Sequence, residues 1–540
     1  MKIRLPDIAY VFNEEKECRT IKSEINDSIL VYSIQNSSLK VSIIDNGEAL
    51  TYIVLKWFLK EDEKRHEPIR ILGDAWERGY GDLEWRGIVQ DRSMPWNCLV
   101  SNGSDTELDY TNRHTEGFGV KVRPSAFCSW QYLGDEVVLF LDIRCGAKGV
   151  LLNGKTLDVA EVLFKDFYNQ SAYQSGCDFC KLMCTDPIFP KETVYGFNNW
   201  YYAYGVSSDA EIMEDTERLV TSCQGTNVKP YMVLDDGWQI NRADAPWDRG
   251  NSRFPDMRAL AEKIKQKGAR PGIWIRPLSV SGESCDIPVQ WRLEREPRYL
   301  DPSRPEVLKY VAKCVSTLTD WGYELIKYDF VTFDIIGKWG FSGPGVLADG
   351  NWSFYNRSKT TAEIIVDLYR CIRNASSGAV LIGCNAIGHL CAGMVEINRT
   401  GDDTSGKDWK RTRRMGINTL AFRSIQNRAF YMADADCVPI TPAVSFQVNR
   451  HWLKLLSASD SPLFISWNPL CNDEKIKKSV RDALIRNAEG TDKLIPLDWM
   501  ENNCPCKWLL NGEKITISWF NKEISPMTSR FIEVMPWGTR

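Results

Sequence analysis

Histidine is the scarcest chemistry-bearing residue: only four occur in 540 residues, at His66, His114, His389 and His451. Their spacing matches no ligand set, so neither a His-based triad nor a His-built metal centre is expected. No run approaches the roughly 18 apolar residues of a membrane span. No sign of charge prevails either. The 67 basic and 71 acidic residues leave a formal net charge of -4, so neither nucleic acid nor a membrane surface is an expected partner. The opening Met1-Lys2-Ile3-Arg4-Leu5-Pro6-Asp7 has no apolar h-region. No signal peptide is therefore visible, which fits a cytoplasmic chain or a mature secreted or periplasmic form. There is no internal repeat, low-complexity tract or charged tail. Cysteine is plentiful, but the 17 residues are odd in number and scattered, which fits reduced, buried thiols better than a disulfide framework. Cys177, Cys180 and Cys184 cluster, and Cys504-Pro505-Cys506 is a tight pair. Neither completes a four-ligand zinc site, so both read as packing thiols, and no metal or cofactor is expected.

What is present is enough apolar material for two or three domains. The chain is 43% hydrophobic and 26% charged, and single cores stop growing near roughly 250–300 residues. The 20 Trp, 20 Tyr and 21 Phe supply amphipathic rings suited to a sugar site as well as to a core. Residues 1–187 alternate in strand fashion, as in Ser28–Tyr32, Leu39–Ile44, Glu136–Asp142 and Gly149–Gly154. Turn formers such as Asp45-Asn46-Gly47 punctuate them, and the stretch reads as an antiparallel β-sandwich.

From residue 188 to 474 the rhythm becomes strand, loop, helix. Eight apolar strand candidates follow in order: 194–197, 230–234, 272–275, 325–328, 380–383, 394–397, 429–432 and 462–466. Helical patterns lie between most of them, with capping pairs at Ser208/Glu211 and Ser303/Glu306. Met257, Leu260 and Ile264 share a face, and Gly268 stops that helix. Alternating strands and helices imply a parallel sheet, and eight such units imply a (β/α)8 TIM barrel. Residues 475–540 read as a small C-terminal all-β domain, with Lys514–Phe520 its clearest strand.

In such a barrel, function sits where strands end. Strand two ends in Asp235-Asp236-Gly237-Trp238, suited to holding hydroxyls and stacking on a ring, or to making a turn. Strand four ends in Lys327-Tyr328-Asp329. Alternate residues share a face, so ammonium and carboxylate both face the mouth, and the ammonium favours the ionised carboxylate that a nucleophile needs. Strand six ends in Arg399 followed by Asp402 and Asp403, either of which suits an acid/base. Strand seven ends in Asp434-Ala435-Asp436. Two carboxylates on different strands are what a retaining glycosidase requires.

These motifs resemble, in order and wording, the α-galactosidases of glycoside hydrolase clan D, families 27 and 36. Gly196-Phe197-Asn198-Asn199-Trp200 is similar to their Gly-Trp-Asn-Ser-Trp, and Asp235-Asp236-Gly237-Trp238 to their Asp-Asp-Gly-Trp. Lys327-Tyr328-Asp329 resembles the Lys-x-Asp that carries the nucleophile. Arg399-Thr400-Gly401-Asp402-Asp403 resembles the Arg-x-x-x-Asp that ends in the acid/base. Asp434-Ala435-Asp436-Cys437 resembles Asn-Asp-Pro-Asp on strand seven, and Ser461–Ser466 the final strand. The leading β-sandwich resembles family 36, though it is shorter than usual there. The resemblance implies a retaining hydrolase of terminal α-galactosides, with Asp329 as nucleophile and Asp403, rather than Asp402, as acid/base. It further implies Asp235 and Asp236 on the O4/O6 side, Lys327 near O3/O4, Arg399 near O2/O3, Trp200 on the ring and Cys384 near O2. Arg276, after Trp274-Ile275 on strand three, is a candidate contact.

Phe197 and Asn199 depart from the family wording. So does Asn385-Ala386-Ile387-Gly388-His389, which follows Cys384 where the family is Gly-rich. That stretch borders the 2-position. α-N-acetylgalactosaminidase, β-L-arabinopyranosidase and α-glucosidase-type activities are therefore alternatives, as is a transglycosylase. A carbohydrate-binding pseudoenzyme is the rival from another class, and intact Asp329 and Asp403 argue against it. Two aromatic segments are candidate substrate contacts: residues 76–85 in the sandwich and residues 337–345 after strand four.

Overall fold

The computed structural model describes residues 1–22, 29–64, 69–73, 83–88, 95–280, 287–337, 348, 350–490 and 493–519. Most of the two aromatic segments, residues 76–82 and 338–345, lies outside these.

The N-terminal region is a sandwich of two antiparallel sheets. One runs in the order Cys18–Lys22, Ile8–Asn13, Leu50–Phe58, Glu136–Asp142, Phe127–Tyr132. The other runs Leu30–Gln35, Ser38–Ile44, Thr156–Tyr168, His114–Val120, Asn97–Asn102, Ile69–Gly73. Their alternating sequences send every second residue inward. Leu39, Val41 and Ile43 face Ile53, Leu55 and Trp57 in the shared core. Trp57 stacks on Trp130 with ring centroids 6.1 Å apart. One expected strand is absent: Gly149–Gly154 makes a single bridge, between Leu50 and Val150. Asn153 and Gly154 both have positive φ, which turns the chain into the 13-residue strand Thr156–Tyr168.

Next comes the parallel barrel. Its strands are Tyr195–Asn198, Tyr231–Leu234, Arg270–Ile275, Leu325–Tyr328, Val380–Cys384, Ile397–Arg399, a seventh in two pieces, and Leu463–Trp467. The seventh is broken. Met432–Asp434 pairs with strand six, while Val438–Ile440 pairs with strand eight. Strands six and seven start about three residues later than their apolar runs suggest. The ladder extends through Asn398, Arg399 and Asp434, polar residues buried inside the barrel mouth, and an apolar pattern does not mark those.

Helix ends follow local chemistry. The Ser208 hydroxyl accepts from Glu211 N at 3.3 Å, and Gly268 closes Met257–Lys267 in the left-handed region. The Ser303/Glu306 box does not form. Pro305 opens that helix, its missing N–H costing nothing at the first position, and Ser303 Oγ accepts from Asn356 N instead.

Residues 475–540 were expected to be all β, but Glu474–Glu489 is a helix capped by Asp473. It buries Val480, Ala483 and Leu484 and packs on Phe446–Ala458 and on Asp209–Ser222, completing the helical ring as the partner of strand eight. The β-structure proper is a three-stranded antiparallel sheet, Leu494–Pro496, Lys507–Leu510 and Glu513–Thr516. Trp499 pins it to the rest, with its ring against Trp85, Tyr173 and Phe422. Among the described residues no helix is long and apolar enough to cross a membrane.

Candidate active site

The register of the barrel sets the site. Trp274 on strand three lies beside Lys327 on strand four. Cys384, Arg399 and Asp434 form one row across strands five, six and seven. Tyr328 is level with Gly383, so Asp329, one residue on, is level with that row. Strand ends in one layer point their side chains into one space.

Two cation-centred clusters fill it. In the first, Lys327 Nζ lies 2.7 Å from Asp235 Oδ2, and the same oxygen accepts from Asn198 Nδ2 at 2.8 Å. Burial alone would favour a neutral Lys327 amine. The Asp235 charge outweighs it, helped by Cys384 and Asp329, and holds the ammonium above its ordinary range. Asp329 is 5% exposed. It accepts from Trp274 Nε1 at 3.2 Å and from its neighbour's Phe330 N at 2.7 Å. Both donors favour the ionised carboxylate.

The second cluster is centred on Arg399, itself 2% exposed. Its guanidinium spans two carboxylates, with Nη1 2.7 Å from Asp436 Oδ1 and Nη2 paired with Asp403 Oδ1. Asp436 also accepts from Thr404 N at 2.8 Å, from Thr404 Oγ1 at 3.0 Å and from the Tyr201 hydroxyl. Asp436 is buried, whereas the Asp403 side chain is 36% exposed. Asp402 turns aside to Arg411, 2.9 Å away. The two clusters adjoin, because the Arg399 charge acts on Lys327 and the Cys384 thiol acts on both cations. Burial pushes the Asp434 carboxyl up to about 6 even beside Arg399 and Lys327. Gly401 is required in the loop that leads to Asp403, since a Cβ there would lie 1.8 Å from Thr419 Oγ1.

Of the residues singled out from sequence, Asp235, Lys327, Asp329, Cys384, Arg399 and Asp403 converge. Asp236 sits beside them but is held by its own loop. It accepts from Gln239 Nε2 at 2.6 Å and from Ala243 N at 2.9 Å, and burial pushes its carboxyl up. Trp200 is half-buried on the first turn after strand one, edge-on to Tyr204. Arg276 turns elsewhere. It grips the buried Asp334 at 2.6 Å and lies over the Phe330 ring, 4.2 Å from its centroid. It braces the turn after Asp329 and is spent on that pairing. Sequence reasoning missed Asn198, Tyr201 and Trp274, and gave Asp436 no partner. Only the strand register, which puts Trp274 next to Lys327, carried a signal.

The departure after Cys384 is an internal strut. Asn385 O accepts from Thr332 N at 3.3 Å and Asn385 Oδ1 from Phe333 N at 3.0 Å, tying loop five to the helix after Asp329. His389 is fully buried and stacks on Trp96 of the sandwich, with centroids 4.4 Å apart. Neither ring nitrogen has a hydrogen-bond partner among the described residues. Burial pushes its pKa down to about 3, against an ordinary value near ~6.5. The folded chain therefore keeps His389 neutral while the unfolded chain protonates below ~6.5. Stability attributable to this residue is complete above that pH and is lost as pH falls towards 3, by roughly 2 kcal/mol between pH 6.5 and pH 5. Urea midpoints at pH 7.5 and 5 check this: His389→Gln should narrow the gap between them, and an unchanged gap refutes it.

No protein-family model matches the chain. Several solved structures do. The α-galactosidase TtGalA from Thermus thermophilus, in complex with p-nitrophenyl α-D-galactopyranoside, is 15% identical with a TM-score of 0.61, over 90% of this chain and 98% of that one. The family 36 α-galactosidase AgaA from Geobacillus stearothermophilus is 13% identical with a TM-score of 0.61, over 94% and 79%. The α-galactosidase from Lactobacillus brevis is 13% identical with a TM-score of 0.58, over 94% and 77%. The sandwich, barrel and C-terminal sheet of this chain thus share the fold of glycoside hydrolase family 36 α-galactosidases.

Proposed function

We propose that the chain is a retaining exo-α-galactosidase acting by double displacement. One observation carries this reading: buried Asp329 at the end of strand four, beside Lys327, and the more exposed Asp403 at the end of strand six, paired with Arg399. Among the fold neighbours, TtGalA is seen in complex with p-nitrophenyl α-D-galactopyranoside and with stachyose, and an AgaA variant with raffinose. Asp329 attacks the anomeric carbon as the bond to the leaving oxygen breaks, and Asp403 gives that oxygen its proton. The covalent glycosyl ester is then cleaved by water, which Asp403 deprotonates, and Asp329 leaves as carboxylate with configuration retained. Trp274 Nε1 and Phe330 N aim the nucleophile. Asp235, held between Lys327 and Asn198, is poised to accept from sugar hydroxyls.

The test is 4-nitrophenol release from α-galactoside, α-N-acetylgalactosaminide, α-glucoside and β-L-arabinopyranoside, with wild type and Asp329→Ala. Turnover of the α-galactoside, abolished in the variant, is the expected result. Turnover of another member instead keeps the mechanism and moves the sugar. No turnover with sugar binding intact overturns the hydrolase reading in favour of a binding protein.

A further inference from the structure

Beside Thr400, Ala433 and Ala435 lies a cavity of about 240 Å³. Three segments far apart in sequence build it: the linker helix Ala172–Met183, the barrel around strand seven, and the lead-in to the C-terminal sheet. Each sends a cation to its wall: Lys181, Arg428 and Lys493. The single carboxylate there, Asp460, is already gripped by Arg428 through both Nε and Nη2. Neither lysine is ion-paired among the described residues. Lys493 Nζ donates to the neutral Gln174 Oε1 at 2.7 Å and lies over the Tyr173 ring. Both ammonium charges reach the Cys177 thiol at the wall, as does the Asp178 carboxylate of the same helix, which offsets one of the two. Three buried hydroxyls, of Thr400, Ser459 and Ser461, stand in the wall among the apolar Leu420, Ala433, Ala435 and Leu494. Each donates to a backbone carbonyl, of Asp434, Leu456 and Ala433 respectively, and keeps a lone pair for a ligand's hydroxyl. Positive charge in excess at the rim of a hollow that offers a few hydroxyl acceptors and apolar wall is the chemistry that binds an oxyanion carried on a polyol.

We propose that this cavity is a binding site for a small phosphorylated ligand, distinct from the sugar site at the barrel mouth. Lys181 and Lys493 take the phosphoryl oxygens, and the serine and threonine oxygens accept from the polyol hydroxyls. The floor includes Thr400, next to Arg399, and Ala433 and Ala435, which flank Asp434, so an occupant would lie against the backbone that carries the acid/base cluster.

Calorimetric titration tests this, with inorganic phosphate and glucose 6-phosphate as probes at matched ionic strength and excess galactose present to fill the mouth. Saturable binding to the wild type is expected. Lys181→Ala/Lys493→Ala should weaken it at least ~10-fold, the scale of about 1.4 kcal/mol, while Lys181→Arg/Lys493→Arg should retain it. Both lysines are exposed, so these variants leave the core untouched. Tighter binding of glucose 6-phosphate than of phosphate identifies a phosphorylated polyol as the ligand, and equal binding identifies free phosphate. No binding of either probe to the wild type, or equal binding by the alanine variant, overturns the proposal. The readout is binding alone, so it stands whether or not the chain proves to be a galactosidase.

Discussion

Replacing Asp329 by glycine is expected to cut hydrolysis of an activated aryl α-galactoside by ~10⁴-fold or more, the scale seen when a covalent nucleophile is deleted. The variant leaves a space at the face of the anomeric carbon from which the carboxylate attacked. Azide fits such a space and needs no base. It should restore part of the rate, its nitrogen forming the new bond as the aryloxide leaves. Because only one displacement then occurs, the product is the β-galactosyl azide, of inverted configuration. NMR of the product decides the matter. An α-azide, or a rate unaffected by the substitution, removes Asp329 from the nucleophile's role.

The second large effect is expected at a residue that never needs to touch the sugar. Asp436 neutralises half of the Arg399 guanidinium and takes the backbone N–H and hydroxyl of Thr404, the residue after Asp403. Asp436→Asn keeps the shape but loses the charge and turns a donor towards donors. Arg399 then leans more heavily on Asp403, its remaining directly paired carboxylate among the described residues. That strengthens the preference for ionised Asp403, so the acid gives up its proton at lower pH. The alkaline limb of the kcat profile should move acidward, and kcat should fall on the order of 10²-fold, the cost of misplacing a catalytic group by about 1 Å. KM should change little. Full pH–rate curves for wild type, Asp436→Asn and Tyr201→Phe check this. An unmoved alkaline limb in Asp436→Asn refutes the coupling, and Tyr201→Phe, which removes one donor and no charge, should show the same trend more weakly.

Much of this was legible in the sequence because barrel chemistry is local. A strand is a short apolar run, and the residues just past its end face the mouth, so Lys327-Tyr328-Asp329 could be placed without tertiary information. Strands six and seven were misplaced for the same reason. Their last residues are Asn398, Arg399 and Asp434, and a pattern that follows apolar side chains stops short of a ladder that continues through polar ones. Helix Glu474–Glu489 was missed because its mean hydropathy is low and only Val480, Ala483, Leu484 and Asn487 are buried, too narrow a stripe to declare itself. Arg276 was misjudged because its partner, Asp334, lies 58 residues away on another unit. Pairings across strand–helix units leave no periodic trace. The Asp436 hub is the strongest case, since from strand seven it gathers donors of the first and sixth strand units, Tyr201, Arg399 and Thr404, that only closure of the ring brings together.

The break in strand seven has a mechanical consequence. Met432–Asp434 holds the seventh strand to the sixth, and Val438–Ile440 holds it to the eighth. The three residues between, Ala435-Asp436-Cys437, are therefore the seam at which the cylinder is fastened. The clasp of that seam is the same carboxylate, Asp436, that steadies the loop carrying Asp403. Slack in the loop and opening of the cylinder are then a single event, so strand seven has little freedom to drift. Change in what the mouth accepts is left to the loops of the opposite wall.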